Sequence, residues 1–162
     1  MNATYQGVVD SLTKLRNVCN AGFALAAEIE FQAPAFLFQT YPEAWQEEYS
    51  NRGFVLKDPT VAWGFSNEGV IGWEELHELD SAGIFEAAKR HGLRHGLAMA
   101  QFRNGKRNIA SFVRHDRAFT KAEVQSLTES FTAILAQLER VQIECPEDVE
   151  RIKSISLALT HI

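Results

Sequence analysis

Tyr41, Trp45 and Tyr49 stand at i, i+4 and i+8, a spacing that places all three rings on one face of a helix. Phe54 follows, then Asp58-Pro59-Thr60-Val61, and Trp73 comes directly after Gly72. Large rings with polar tips supply both an apolar wall and hydrogen-bond donors, and the lone carboxylate supplies an acceptor. That combination suits a closed pocket holding a small, mostly apolar molecule by a few polar contacts. It does not suit catalysis, because no nucleophile or base accompanies it. His77, His91, His95, His115 and His161 are scattered and form no ligand-spaced set with cysteines or carboxylates, so neither an enzyme nor a metal centre is expected. Each residue also has a plain structural use: the three rings as a core stripe, Asp58 as a helix N-cap, Trp73 as a core plug.

The elements that must position these groups can be read from periodicity and punctuation. Val8, Val9, Leu12, Leu15, Val18 and Cys19 predict an amphipathic first helix ending at Asn20-Ala21-Gly22. Phe23, Leu25, Ala27, Ile29 and Phe31 alternate, which predicts a strand with all five on one buried face, and a second strand follows at Ala35 to Gln39. A helix is expected from Pro42 to Arg52, stopped by Gly53, and a short one from Pro59 to Phe65 capped by Asp58. Another runs from about Asp80 to His91 and ends at Gly92. Strands at His95 to Arg103 and Arg107 to Arg114 flank Asn104-Gly105, a strong hairpin signal. Thr120 and Glu123 form a capping box opening a long helix with a stripe from Val124 to Val141. After Cys145-Pro146, a last helix would align Val149, Ile152, Ile155 and Leu159. An α+β fold with a central antiparallel sheet of about five strands and helices on both faces accommodates this order.

At 162 residues and 46% hydrophobic content, the chain is long enough for one well-buried core. The formal charge of −5 and pI near 5.5 argue against direct nucleic-acid binding. Basic residues do cluster at Lys89, Arg90, His91, Arg94 and His95, and again at Lys106 and Arg107, a pattern usual for a solvated surface. Two distant cysteines, Cys19 and Cys145, suggest reduced thiols. With no signal peptide and no apolar run long enough to span a bilayer, the expected compartment is the cytoplasm, without membrane attachment.

Taken together, the motif residues resemble the autoinducer-binding domain of LuxR-type quorum-sensing regulators. Tyr41-x-x-x-Trp45-x-x-x-Tyr49 is followed nine residues later by Asp58-Pro59-x-Val61, and Trp73 lies fifteen beyond Asp58. Gly92-Leu93-Arg94-His95-Gly96 is similar to a further family segment. The likeness spans roughly residues 5 to 141 and implies a PAS/GAF-like α-β-α sandwich. It also implies a ligand of the N-acyl-homoserine lactone class and no cofactor. By resemblance, the Trp45 indole donates to the lactone carbonyl, Asp58 accepts from the amide N–H, and Tyr41 donates to the acyl carbonyl. Thr60 adds a contact near the amide, and Ser111 matches a residue that approaches the acyl carbonyl. Tyr49, Phe54, Val61 and Trp73 would wall the lactone. Phe36, Phe38, Ile84, Phe85, Met99 and Ile109 are candidates for the tail wall, with core packing the commoner use of such residues.

The family normally carries a C-terminal helix-turn-helix domain. Here residues 1–143 read as the ligand domain and 144–162 as a helical extension, with no DNA-binding domain. The chain is then either an excised domain or a one-domain member, and the amphipathic tail favours the second. The implied partners are the autoinducer and a second protomer, either identical or a full-length LuxR-type regulator. Competing readings are a PAS/GAF-like sensor of another small molecule, or a ligand-free partner that inhibits a full-length regulator.

Overall fold

The computed structural model describes residues 3–31 and 33–160, with side chains from Tyr5 to Ile155. Helix α1 (Ala3–Val18) leads into strands β1 (Gly22–Glu30) and β2 (Ala33–Gln39). Helix α2 (Glu43–Asn51), a 3₁₀ turn (Phe54–Leu56) and α3 (Pro59–Ser66) follow. Then come β3 (Gly69–Gly72), a 3₁₀ helix (Trp73–Leu79), α4 (Ile84–Lys89), and the hairpin β4 (His95–Arg103) and β5 (Lys106–Arg114). Helices α5 (Lys121–Glu144) and α6 (Val149–Thr160) are the last of the described elements. The five strands form one antiparallel sheet in the order β2-β1-β5-β4-β3.

The sheet separates two unequal layers. On one face α1, α5 and α6 close the main core. It is built from Val8, Leu12 and Leu15 of α1, Leu127, Phe131 and Leu138 of α5, and Ile152 of α6. The strands meet these with Phe23, Leu25, Phe36, Phe38, Met99 and Phe112. The capping box opening α5 is present: the Thr120 hydroxyl accepts from Glu123 N–H at 3.1 Å, and Glu123 accepts from Thr120 N–H at 2.9 Å. Cys19 is buried in this core, and burial pushes its thiol up to about 12, which keeps it unreactive. On the opposite face, beside α2 and α4, a smaller cluster forms around Tyr41, Trp45, Phe54, Ile84, Leu93 and Val113.

Several expectations need correction. The alternation read from Phe23 to Phe31 breaks at a β-bulge between Ala26 and Ile29, where Glu28 adopts φ 54°. Phe23, Leu25 and Ala27 face the main core, Ile29 turns to the other face, and Phe31 is fully exposed. The bulge is held by the buried side chain of Asn108. Its Oδ1 accepts from Glu28 N–H at 2.8 Å, and its amide donates to the carbonyls of Gln101 and Lys106. The helix expected from Asp80 begins only at Ile84, because Gly83 takes a left-handed conformation and the Asp80 carboxylate caps the helix from four residues upstream. Strand β3 was not anticipated: with Val70-Ile71 between two glycines it is too short to show a period. The Leu159 side chain lies outside those described.

Candidate functional site

The face carrying α2, α3 and α4 encloses a cavity of about 1140 Å³ between those helices and the sheet. Tyr41, Trp45, Tyr49, Asp58, Thr60, Val61, Trp73 and Ser111 all line it. Helix α2 projects Trp45 and Tyr49 inward from consecutive turns, their rings 5.7 Å apart and edge to face. Phe54 stands one layer back, packed against both rings at 6.0 Å, so it supports the wall without lining it. The Trp45 indole N–H makes no hydrogen bond to a described residue, and its ring lines the cavity.

Asp58 is the polar centre of the site. As N-cap of α3, with Pro59 at the first helical position, its Oδ1 accepts from Thr60 N–H at 2.9 Å and from the Thr60 hydroxyl at 2.8 Å. Its Oδ2 accepts from the Tyr49 hydroxyl at 2.8 Å. A carboxylate offers about four lone-pair positions, so one on Oδ2 is left unused. Burial pushes the Asp58 carboxyl above its ordinary range, opposed by the hydrogen bonds from Thr60 and Tyr49. The Tyr49 phenol is pushed up by burial and by the adjacent Asp58, so it stays a neutral donor. Burial likewise raises Tyr41, whose hydroxyl donates to the Ser111 carbonyl at 3.3 Å, a long bond that a better acceptor in the cavity can replace by rotation of the hydroxyl.

Trp73 closes the site from the β4 side. Its ring lies flat on Gly96, where a Cβ would fall 2.1 Å from the indole, and stacks on Phe85 at 5.0 Å between centroids. Its indole N–H is buried without a partner among the described residues. Phe85 and Ile84 are fixed in turn by Asp80, whose carboxylate accepts their N–H groups at 2.8 and 2.9 Å. Asp80 therefore positions the wall opposite α2, a role that only the tertiary arrangement reveals.

Of the residues considered for the tail wall, Ile84, Phe85 and Ile109 reach the cavity. Phe36, Phe38 and Met99 do not: they belong to the main core on the other face of the sheet. The cavity floor is made instead by Ala24 and Ala26 of β1 with Leu37 and Gln39 of β2. Sequence reading missed these four, although Ala24 and Ala26 alternate with the buried Phe23 and Leu25. Part of the basic cluster is paired with carboxylates where it stands. Arg90 and His91 pair with Glu48, Lys89 with Glu86, and Lys106 with Glu28 and Glu30. Cys145, Glu147 and Asp148 lie close together but line no part of the cavity, and Asp148 pairs with Arg151.

An antiparallel sheet with one solid face and one hollow face lined by ring donors and a single carboxylate defines a small-molecule sensor domain. The family model for the autoinducer binding domain matches residues 22–138, and the chain belongs to that family, the ligand domain of LuxR-type regulators. The transcriptional activator SolR of Ralstonia solanacearum is 32% identical over 93 residues, covering 57% of this chain and 39% of SolR. The chain thus spans about two-fifths of that relative's length. The crystal structure of Escherichia coli SdiA superposes with a TM-score of 0.69 at 22% identity, covering 89% of this chain and 64% of SdiA. CepR2 from Burkholderia cenocepacia, described as an N-acylhomoserine lactone dependent LuxR family transcription factor, has a TM-score of 0.58 at 15% identity. That match covers 83% of this chain and 96% of CepR2. No helix among the described residues is long and apolar enough to cross a membrane.

Proposed function

We propose that the cavity binds an N-acyl-homoserine lactone and that the domain senses this quorum signal in the cytoplasm to regulate transcription. The observation that carries the reading is the pairing of complementary free groups across one cavity: an unused acceptor position on Asp58 Oδ2 and an unused donor on Trp45. A lactone amide supplies the N–H for the first, and the lactone carbonyl supplies the acceptor for the second. Tyr41, whose hydroxyl donates to the Ser111 carbonyl at 3.3 Å, would turn to donate to the acyl carbonyl. Thr60 contributes differently from a direct contact: its hydroxyl proton is spent on Asp58, orienting the carboxylate.

Output proceeds by dimerisation, with an identical protomer or with a full-length LuxR-type regulator. Calorimetric titration with a panel of N-acyl-homoserine lactones tests the ligand. Saturable one-to-one binding is expected, weakened about tenfold in Trp45→Phe by loss of one buried hydrogen bond. Heat flat across the panel, or steady catalytic loss of the lactone ring, overturns the reading. Analytical ultracentrifugation with a full-length homologue and lactone tests the partner, and separate sedimentation counts against it.

A further inference from the structure

The cavity has a direction. Trp45, Asp58, Trp73 and Ser111 gather at the end where α3 begins and where the rings of the smaller cluster also pack, while Ser66 and Asn67 line the end where α3 stops. From the Asp58 end the floor follows β1 in three rows fixed by strand pairing. Ala24 lies between Gln39 and Ser111, Ala26 between Leu37 and Ile109, and Ile29 between Pro34 and Arg107. The first two floor residues are alanines, so the groove stays deep until the bulge turns Ile29 into it. On the β5 side the roof comes down: a Cβ at Gly64 of α3 would lie 2.7 Å from the Ile109 side chain. A chain leaving the Asp58 end must therefore run over Ala26, between the Ile109 contact and Leu37.

Two independent lengths agree. From Ser111 to Arg107 is four residues of β5, about 14 Å at roughly 3.4 Å per residue. Above it α3 runs the same way for eight residues, about 12 Å at roughly 1.5 Å each. It starts at the cap Asp58 and ends where Arg107 donates to the Asn67 carbonyl. An extended hydrocarbon built from bonds of about 1.5 Å advances roughly 1.25 Å per carbon, so the groove accommodates about ten carbons. Leu37 beside Ala26 and Phe65 near the end of α3 line the cavity yet are partly exposed, at 42% and 38%, so a chain longer than the groove meets apolar side chains that are open to solvent.

We propose that this domain selects long-chain signals, with acyl groups of about ten to twelve carbons, and that Ala26 is the residue that sets this length. The inference rests on the lactone reading above. The test is a competition titration of the full chain with unsubstituted N-acyl-homoserine lactones of four, six, eight, ten, twelve and fourteen carbons. Affinity should rise about tenfold per two-carbon step up to ten or twelve carbons and then level off, as each buried methylene adds its increment. In Ala26→Leu, the ratio of twelve-carbon to four-carbon affinity should fall at least tenfold. An optimum at four to six carbons overturns the length assignment alone, while failure of every length to bind overturns the ligand class as well. A ratio unchanged in Ala26→Leu, with the variant's melting transition intact, removes Ala26 from the role. Should that variant not fold, the panel on the native chain still decides the length.

Discussion

Asp58→Asn separates the carboxylate's part in the fold from its part in binding. In the folded chain Asp58 accepts three hydrogen bonds, two of them from Thr60 and one from Tyr49. Asparagine is as good an N-cap as aspartate, so its carbonyl oxygen can keep both Thr60 donors. The other side becomes an NH₂ group. Tyr49 can turn its hydroxyl to accept from it, but a ligand amide N–H meets a donor where it needs an acceptor. The lost contact is a hydrogen bond to a charged group, worth about 1.5–3 kcal/mol, or roughly a 10- to 140-fold loss of affinity. The ligand-free protein should behave oppositely. Burial raises the Asp58 carboxyl, so above its folded pKa the native state carries an ionised group that the unfolded chain solvates better. Asparagine removes that charge, and the unliganded variant should melt at or above the native temperature near neutral pH. Differential scanning fluorimetry without ligand and calorimetry with lactone measure the two effects. A loss of affinity below about threefold, or a marked drop in the unliganded melting temperature, would refute the reasoning.

Four further outcomes follow from other parts of the molecule. Gly96→Ala should destabilise by about 1–3 kcal/mol through overpacking, with weaker lactone binding, because a Cβ 2.1 Å from the Trp73 ring must displace it from Phe85; equilibrium urea unfolding and titration check both. Asn108→Ala should cost about 2 kcal/mol in urea unfolding, since it strands the half-buried Glu28 N–H and two carbonyls at the bulge. Hydrogen bonds from Arg117 and from the Thr120 N–H hold Glu123 down to about 2, against an ordinary 4.5. Its contribution is full above pH 4.5 and lost as pH falls through 2, so Glu123→Gln should flatten the decline in stability measured between pH 5 and pH 2. Lactone at saturation should slow hydrogen exchange in α2 and α3 more than in α5; equal protection of both layers would place the ligand elsewhere.

Much of this was legible in the chain because the signals were local. Asp58-Pro59 capping α3 and Thr120 with Glu123 opening α5 are decided within a few residues, and the structure shows both. The Asn104-Gly105 turn takes two positive φ angles, as its dipeptide demands. What escaped depends on pairing between distant segments. The apolar alternation runs unbroken through Ile29 and Phe31, and nothing near Glu28 announces a bulge stabilised by Asn108, eighty residues away. Phe36, Phe38 and Met99 take the core role that is the commoner one for such residues, and parity decides it. Phe36 pairs with Ala27 and Phe38 with Leu25, so both share the face of Phe23, and only the hairpin register reveals it. Composition also misleads here, since a ligand floor is made by small residues that look unremarkable beside phenylalanines.

The two faces of the sheet explain why a ligand should matter to this fold at all. The side of the sheet covered by α1, α5 and α6 is filled with large, fully buried residues, among them Phe23 and Phe112 of the strands and Phe131 of α5. The other side concentrates its packing at the Asp58 end, around Trp45, Phe54 and Leu93, and leaves alanines beneath α3. Apolar surface is thus prepared on the floor and roof of a space that this chain does not fill. An occupant buries that surface and satisfies Asp58 and Trp45 together, so binding and completion of the second core are the same event. By mass action, a ligand at a hundred times its dissociation constant adds about 2.7 kcal/mol, a large fraction of the stability of a domain this size. On the proposed reading, the solid layer would hold the fold without ligand, and the hollow layer would gain stability when the cavity is occupied.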